Sequence, residues 1–382
     1  MEYTKLKNIN EYKSETVNPM NYPDTVFEMY SVPIYNTGHP EYLCGSEIRS
    51  SKVIVRKNDV LICKINPRIN RVWVVSDESE YQNIASSEWI VVRSSTYNPD
   101  FLAWYFRSKR FKELMTSEVT GIGGSLTRAQ PKAVAEYPVP IVPEDRQFYI
   151  VDVLNRVSSV ITARRQELLM LDELIKARFV EMFGDPEAGT CRYGTKKLGE
   201  LSVKISDGVH AKPNYTETGR PFLSVVNINK GIVDFTDCKY VSEEAYKKMI
   251  KSTHPENGDV LYTKVGATYG IPAYVDTDKE FCLYVSVCLI KPKHERINAR
   301  FLSIQMGMPS IKHQADARIK GIGVPDLHLN QIREFNIICP PRASQDEFVA
   351  FVDQVDKSKA QVQKALDETR LLFDSLMQEY FG

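Results

Sequence analysis

The chain has 382 residues and balances 49 Lys and Arg against 49 Asp and Glu, a length that allows two or three domains with separate cores. Zero net charge excludes a uniformly basic nucleic-acid binder; a DNA surface would have to concentrate its cations, with Arg107-Ser108-Lys109-Arg110 and the loop Lys and Arg residues as candidates. Seven cysteines without a Cys-x-x-Cys pair argue against a disulfide framework or zinc site, and the absence of a signal-like or membrane-length apolar run points to a soluble cytoplasmic protein with no membrane partner.

The first globular part opens with short β-like runs separated by turn signals: Val53-Ile54-Val55, Val60-Leu61-Ile62-Cys63, Val72-Trp73-Val74-Val75 and Trp89-Ile90-Val91-Val92. A helical stretch near Asp100 to Leu114 follows the turn Asn98-Pro99. Val139-Pro140-Ile141-Val142-Pro143 reads as a last strand with a proline stop. The period then changes. Alternate steps of four and three from Ile150 give Leu154, Val157, Ile161, Arg164, Leu168, Leu171, Ile175, Arg178 and Met182, a coiled-coil seam. A pair of core helices in a bundle is the plainer alternative. The breaker-rich segment Gly184-Asp185-Pro186-Glu187-Ala188-Gly189-Thr190 ends this helix.

The second globular part has strand-like Phe222-Leu223-Ser224-Val225-Val226, Val260-Leu261-Tyr262 and Val285-Ser286-Val287-Cys288-Leu289-Ile290, with a helix near Ser242 to Ile250. It ends at Ile337-Ile338-Cys339-Pro340-Pro341. A second seam runs Phe348, Val352, Val355, Lys359, Val362, Leu366, Thr369, Phe373, Leu376 and Tyr380.

These halves are copies. Lys57-Asn58-Asp59-Val60-Leu61 recurs as Asn257-Gly258-Asp259-Val260-Leu261, and Gly121-Ile122-Gly123 as Gly321-Ile322-Gly323, each 200 positions on. Glu136-Tyr137 matches Glu334-Phe335, Gln147 matches Gln345 and Phe183-Gly184 matches Phe381-Gly382, each 198 positions on. Common order at a near-constant offset identifies a duplication. The expected fold is α+β: globular domains over 1–143 and 185–341, separated by long helices over 144–184 and 342–382 that pair antiparallel as a coiled coil, in a pseudo-twofold internal repeat.

No catalytic constellation emerges. Asn98-Pro99-Asp100-Phe101 lacks the second proline of the amino-methyltransferase motif, and Gly121-Ile122-Gly123-Gly124 is not followed by a helix start, as a cofactor loop requires. There is no Walker loop, His-Glu-x-x-His or paired-carboxylate nuclease motif, so no catalytic or metal-binding residue is assigned and no cofactor is expected in this chain. What remains are polar, Gly-marked loops in matched places. Lys64, Asn66, Arg68, Asn70 and Arg71 lie in the first; Ser206, Asp207, His210 and Lys212, then Lys264, Thr268 and Tyr269, lie in the second, with Lys320 beside the later Gly-Ile-Gly. Asn and Arg suit base edges, and Lys, Thr and glycine N–H groups suit phosphate, so these are candidate DNA contacts. Ordinary hairpin loops would carry many of the same residues.

At this point the chain resembles the specificity subunit of type I restriction–modification enzymes. Tyr30-Ser31-Val32-Pro33, Ser51-Lys52 and Asp59 through Trp73 are similar to one type of target-recognition domain; Lys197-Leu198-Gly199-Glu200-Leu201, Ile205-Ser206-Asp207-Gly208, Pro221-Phe222-Leu223-Ser224 and Gly258-Asp259-Val260-Leu261 are similar to another. Glu181-Met182-Phe183-Gly184-Asp185-Pro186 resembles the family's ending to its first helix. The resemblance implies a non-catalytic subunit that reads a bipartite, asymmetric site on double-stranded DNA. It implies two methyltransferase subunits as partners, which bind S-adenosylmethionine and methylate adenine, and two restriction subunits where the complex also cleaves. The chain departs from the family at the Pro-Pro-Leu-x-Glu-Gln corners, where Val142-Pro143-Glu144-Asp145-Arg146-Gln147 and Pro340-Pro341-Arg342-Ala343-Ser344-Gln345 keep only prolines and glutamines. Two other classes stay open on the residues alone: a self-contained DNA methyltransferase or nuclease, and a protein-binding coiled-coil scaffold.

Overall fold

The computed structural model describes every residue except 1, 77, 118, 121–126 and 320–322. The chain divides into two compact units, Met1–Arg165 with Gln363–Gly382, and Gln166–Val362. Both mix helices and sheets. No helix among the described residues is long and apolar enough to cross a membrane.

In the first unit, Val60–Cys63 is the middle strand of a three-stranded antiparallel sheet, between Val72–Val74 and Trp89–Val92. All four of its residues are buried. Val60 and Ile62 pack with Phe101, Tyr105 and Phe106; Leu61 and Cys63 pack with Tyr30, Trp73 and Trp89 on the other face. A strand covered on both faces reads as a continuous apolar run, which is why this one is conspicuous in the sequence. A five-stranded sheet runs in the order Thr16–Val17, Lys52–Ile54, Gln82–Ala85, Val26–Tyr30, Glu41–Cys44.

The second unit repeats the motif. Val260–Thr263 lies between Pro272–Tyr274 and Val287–Pro292, and Ser202–Asp207 adds a fourth strand at the edge. Val260 and Tyr262 face one core and Leu261 another, as in the first copy. The expected strand through Ser224-Val225-Val226 stops at Leu223. Ser224 and Asn227 form a capping box that turns Val225–Asn227 into a short 3₁₀ helix.

Each central strand enters through the same turn. The Arg56 N–H donates to Asp59 Oδ2 at 2.8 Å, and the Glu256 N–H to Asp259 Oδ2 at 2.7 Å. The carboxylates then meet a cation: Arg93, just past the end of the neighbouring strand, is 2.7 Å from Asp59, and Lys291, within the neighbouring strand, is 2.7 Å from Asp259. The recurring Asp-Val-Leu is therefore a turn, an ion pair and a buried strand in sequence.

Glu144–Phe183 and Arg342–Phe381 are uninterrupted helices of 40 residues each. Every seam position named above is buried or half-buried. Within the second unit, Asp172 meets Lys359 at 2.6 Å and Arg178 meets Glu347 at 3.1 Å, so the paired segments run antiparallel there. Within the first unit, Ile150 and Leu154 share a core with Tyr380 and Phe381. Phe381 stacks edge-on against Phe101, and Phe183 against Phe301, with ring centres 5.6 and 5.2 Å apart.

Candidate nucleic-acid interface

The loop that leaves each central strand is clamped from two sides. In the first unit the Lys64 N–H donates to the Glu88 carbonyl at 3.0 Å, and the Lys64 carbonyl accepts from the Ala129 N–H at 2.9 Å. The Asn66 N–H donates to the Thr127 carbonyl at 2.8 Å. In the second, Lys264 N–H reaches Ser286 at 3.0 Å, Leu327 N–H reaches Lys264 at 2.9 Å, and Gly266 N–H reaches Pro325 at 2.9 Å. Pairing these bonds aligns the copies residue by residue. The offset is 200 at Lys64, 198 at Glu88, 200 again at Asn98, and 198 from Thr127 onward. Loop-length differences of two residues therefore arise in separate places while the clamp is kept.

The frame also dictates residue types. Asn58, Asn66 and Asn70 are the three described non-glycine residues with positive φ. At 200 positions on stand Gly258, Gly266 and Gly270, all with positive φ as well. Asparagine is the side chain that best tolerates the left-handed region. A backbone requirement thus accounts for asparagine at 66 and 70, two positions expected to read bases. Between them Pro67–Ile69 forms a 3₁₀ turn that leaves Arg68 exposed. Arg71 is half-buried, with Nη1 4.0 Å from the Cys63 sulfur. Lys64 is half-buried and has no carboxylate partner among the described residues.

In the second unit, Ser202–Asp207 carries Ser206 and Asp207 to the same neighbourhood. Gly208 follows in so tight a passage that a Cβ there would stand 2.2 Å from the Leu283 carbonyl. The chain then projects His210, 77% exposed, and Lys212, which lies 5.9 Å over the Tyr215 ring. Asp207 lies between His210 at 3.8 Å and Lys264 at 3.6 Å. Burial pushes its carboxyl above the ordinary range, against the pull of the Lys264 ammonium. Lys264 has a side chain only 5% exposed and also meets Asp326 at 3.3 Å, so its charge is engaged inside the protein. Thr268 is exposed and its carbonyl accepts from Thr263 Oγ1 at 2.7 Å. Tyr269 donates its hydroxyl to Asp316, with Lys312 over its ring at 4.0 Å. Lys320, Gly121-Ile122-Gly123-Gly124 and Gly321-Ile322 lie outside the described residues.

The cationic run 107–112 lines a cleft of about 520 Å³ with Phe373, Met377 and Phe381 of the same unit. Two of its cations serve the fold. Arg107 donates to the Val72 carbonyl at 3.0 Å and stacks on Trp104, and Arg110 binds the Tyr3 hydroxyl at 2.8 Å. Sequence reasoning missed the clamp partners Glu88, Arg128 and Asp326, because finding them requires the offset steps between positions 64 and 88 and between 123 and 127. Among the described residues no group of three or more His, Cys, Asp or Glu side chains could hold a metal ion.

The family model for the type I restriction modification DNA specificity domain matches residues 193–369. The EcoKI type I specificity subunit of Escherichia coli K12 is 19% identical over 315 residues, 74% of this chain; the chain spans 64% of the length of that relative. A solved chain from work on assembly and conformational transition of a type I R-M system aligns over 100% of this chain and 97% of its own, at 19% identity and TM-score 0.62. The type I S subunit from M. genitalium aligns over 100% and 96%, at 13% identity and TM-score 0.54. These structures share the fold. The domain match covers the second globular part and most of the second long helix, and the whole chain shares its fold with these solved chains.

Proposed function

We propose that this chain is the non-catalytic DNA-recognition subunit of a type I complex, reading a bipartite, asymmetric site with one target-recognition domain per half. The domains are 1–143 and 185–341. The helices 144–184 and 342–382 form the antiparallel coiled-coil spacer of a pseudo-twofold arrangement. Two methyltransferase subunits dock on it and hold the S-adenosylmethionine, and two restriction subunits join where the complex cleaves. The DNA-facing set is drawn from Lys64, Asn66, Arg68, Asn70, Arg71, Ser206, Asp207, His210, Lys212, Lys264, Thr268, Tyr269 and Lys320.

The observation that carries this reading is one clamped loop frame built twice with different side chains on it. Pro67-Arg68-Ile69 stands where the other copy has Ala267-Thr268-Tyr269. One frame with two chemistries suits two unlike half-sites, since base edges are read by side-chain donors and acceptors. The test is co-expression with the cognate methyltransferase, followed by direct detection of methylated adenine. Methylation at one split motif, lost when this chain is omitted, is expected. Methylation by this chain alone would favour a self-contained enzyme; a reconstituted complex without salt-sensitive DNA affinity would favour a protein-binding scaffold.

A further inference from the structure

The two copies close the same frame with different ion pairs. Positions 88 and 286 are equivalent, because each carbonyl accepts from the lysine N–H of the loop. Positions 128 and 326 are equivalent, because each bridges the residue after that lysine, Ile65 or Val265. In the first unit Arg128 Nη2 lies 3.0 Å from Glu88 Oε1, so the flanking segments tie themselves together across the loop. Lys64 takes no part in that tie. In the second unit the same positions are Ser286 and Asp326, and no such tie can form. Lys264 supplies the missing cation itself, 3.3 Å from Asp326 Oδ1 and 3.6 Å from Asp207 Oδ1. Drawing this ammonium out to a phosphate would leave two carboxylates facing each other, one of them largely buried, a strongly unfavourable arrangement.

Resting on the DNA-recognition reading above, we infer that the repeat-equivalent lysines have exchanged roles: Lys64 contacts DNA directly, whereas Lys264 is a positioning residue that holds the 206–212 and 264–270 loops together through Asp207 and Asp326. The first copy keeps its lysine available because Arg128 and Glu88 do the tying. The second copy has given its lysine to the frame, and its contacts to DNA come from exposed neighbours such as His210, Lys212 and Thr268.

The two roles differ in how salt acts. A cation seated at a phosphate releases a counterion, so removing it lowers the slope of log affinity against log salt by about 0.9. A positioning residue changes the fit and leaves the slope alone. The experiment measures binding of the assembled methyltransferase complex to its cognate duplex, and to duplexes altered in either half-site, across a salt series. Lys64→Ala is expected to lower the slope by about 0.9. Lys264→Met is expected to keep the wild-type slope while discrimination at one half-site falls roughly tenfold, about the worth of one base pair, and Lys264→Arg is expected to restore it. Should the Met variant fail to assemble, Asp326→Asn decides with a milder change. Loosening the frame predicts weaker discrimination; a lysine already at DNA predicts tighter binding once a nearby negative charge is gone. A Lys264→Met slope that falls as far as that of Lys64→Ala, an unaltered Lys64→Ala slope, or tighter binding by Asp326→Asn overturns the inference. A wild-type complex with no salt-dependent affinity instead overturns the recognition reading itself.

Discussion

Gln147 and Gln345 each hold a corner between a long helix and the globular part of its unit. The Asn98 N–H donates to Gln147 Oε1 at 2.8 Å, and Gln147 Nε2 donates to the Val142 carbonyl at 2.8 Å. In the second copy the Asn298 N–H reaches Gln345 at 2.7 Å, and Gln345 reaches the Pro340 carbonyl at 2.8 Å. Both glutamines are buried, so alanine would strand two backbone groups at the first corner and three at the second, where Gln345 also donates to the Arg296 carbonyl at 3.2 Å. We expect Gln147→Ala and Gln345→Ala each to lower unfolding free energy by about 2 kcal/mol in urea titrations; losses of only a few tenths would show that water replaces the amide. This also explains why glutamine persists at corners where the leucine and glutamate of the motif are lost. The left-handed asparagines make a second case. Asn66→Gly and Asn70→Gly should keep wild-type stability, whereas alanine at either position should cost about 1–2 kcal/mol. A DNA preference unchanged in the glycine variants would assign both residues to the backbone alone. Nothing in a single asparagine discloses its φ, so the sequence alone offers these two equally as base readers and as backbone residues. The clue lay in the repeat, where glycine occupies both matching positions.

At the scale of elements, the long helices were the most legible part of the chain. Apolar residues spaced for a helical seam are visible without coordinates, and even the polar members Arg178 and Lys359 are half-buried and ion-paired. The sheets were less legible because their pairing is non-local: Val60–Cys63 lies between strands on both sides, and its edge partners declare themselves only through register. Legibility was poorest for the clamps, which join backbone groups about 20 residues apart on one side and about 60 on the other, across loops of different length. The helix ends give a sharp energetic prediction. Phe183 is fully buried against Phe179, Phe301 and Phe348, so Phe183→Ala should cost roughly 3–5 kcal/mol, read from denaturant midpoints. A cost below about 1 kcal/mol would mean that the helix end is dispensable to its unit. The start of the second helix adds a pH dependence. Hydrogen bonds from Arg342 and then Asn298 hold the Asp346 carboxyl below its ordinary value of 3.8. A lowered folded value means the contribution is present above that pH and lost as pH falls through the folded value. The melting-temperature difference between wild type and Asp346→Asn should therefore shrink on acidification below about 3.8; a difference that grew there would reverse the assignment.

For the whole molecule, zero net charge and a duplicated frame pose one question: what sets the distance between two readers? On the proposed function the spacer helices do, since both copies keep 40 helical residues while their loops vary in length. Inserting one seven-residue heptad in each helix at matching positions preserves the seam, because the apolar repeat returns in phase. It lengthens the spacer by about 10.5 Å at 1.5 Å per residue. At about 3.4 Å per base pair this is close to three base pairs. The double-insertion complex should methylate the same two half-sites with the gap between them widened by about three base pairs, read directly from the methylated positions. An insertion in one helix alone leaves seven residues without partners and should abolish assembly or recognition. An unchanged gap in the double insertion would remove the helices as the ruler. The frames are rigidly clamped at one end of their strands, so a wider gap with altered half-site sequences is not expected: lengthening the spacer moves the readers without changing what they read.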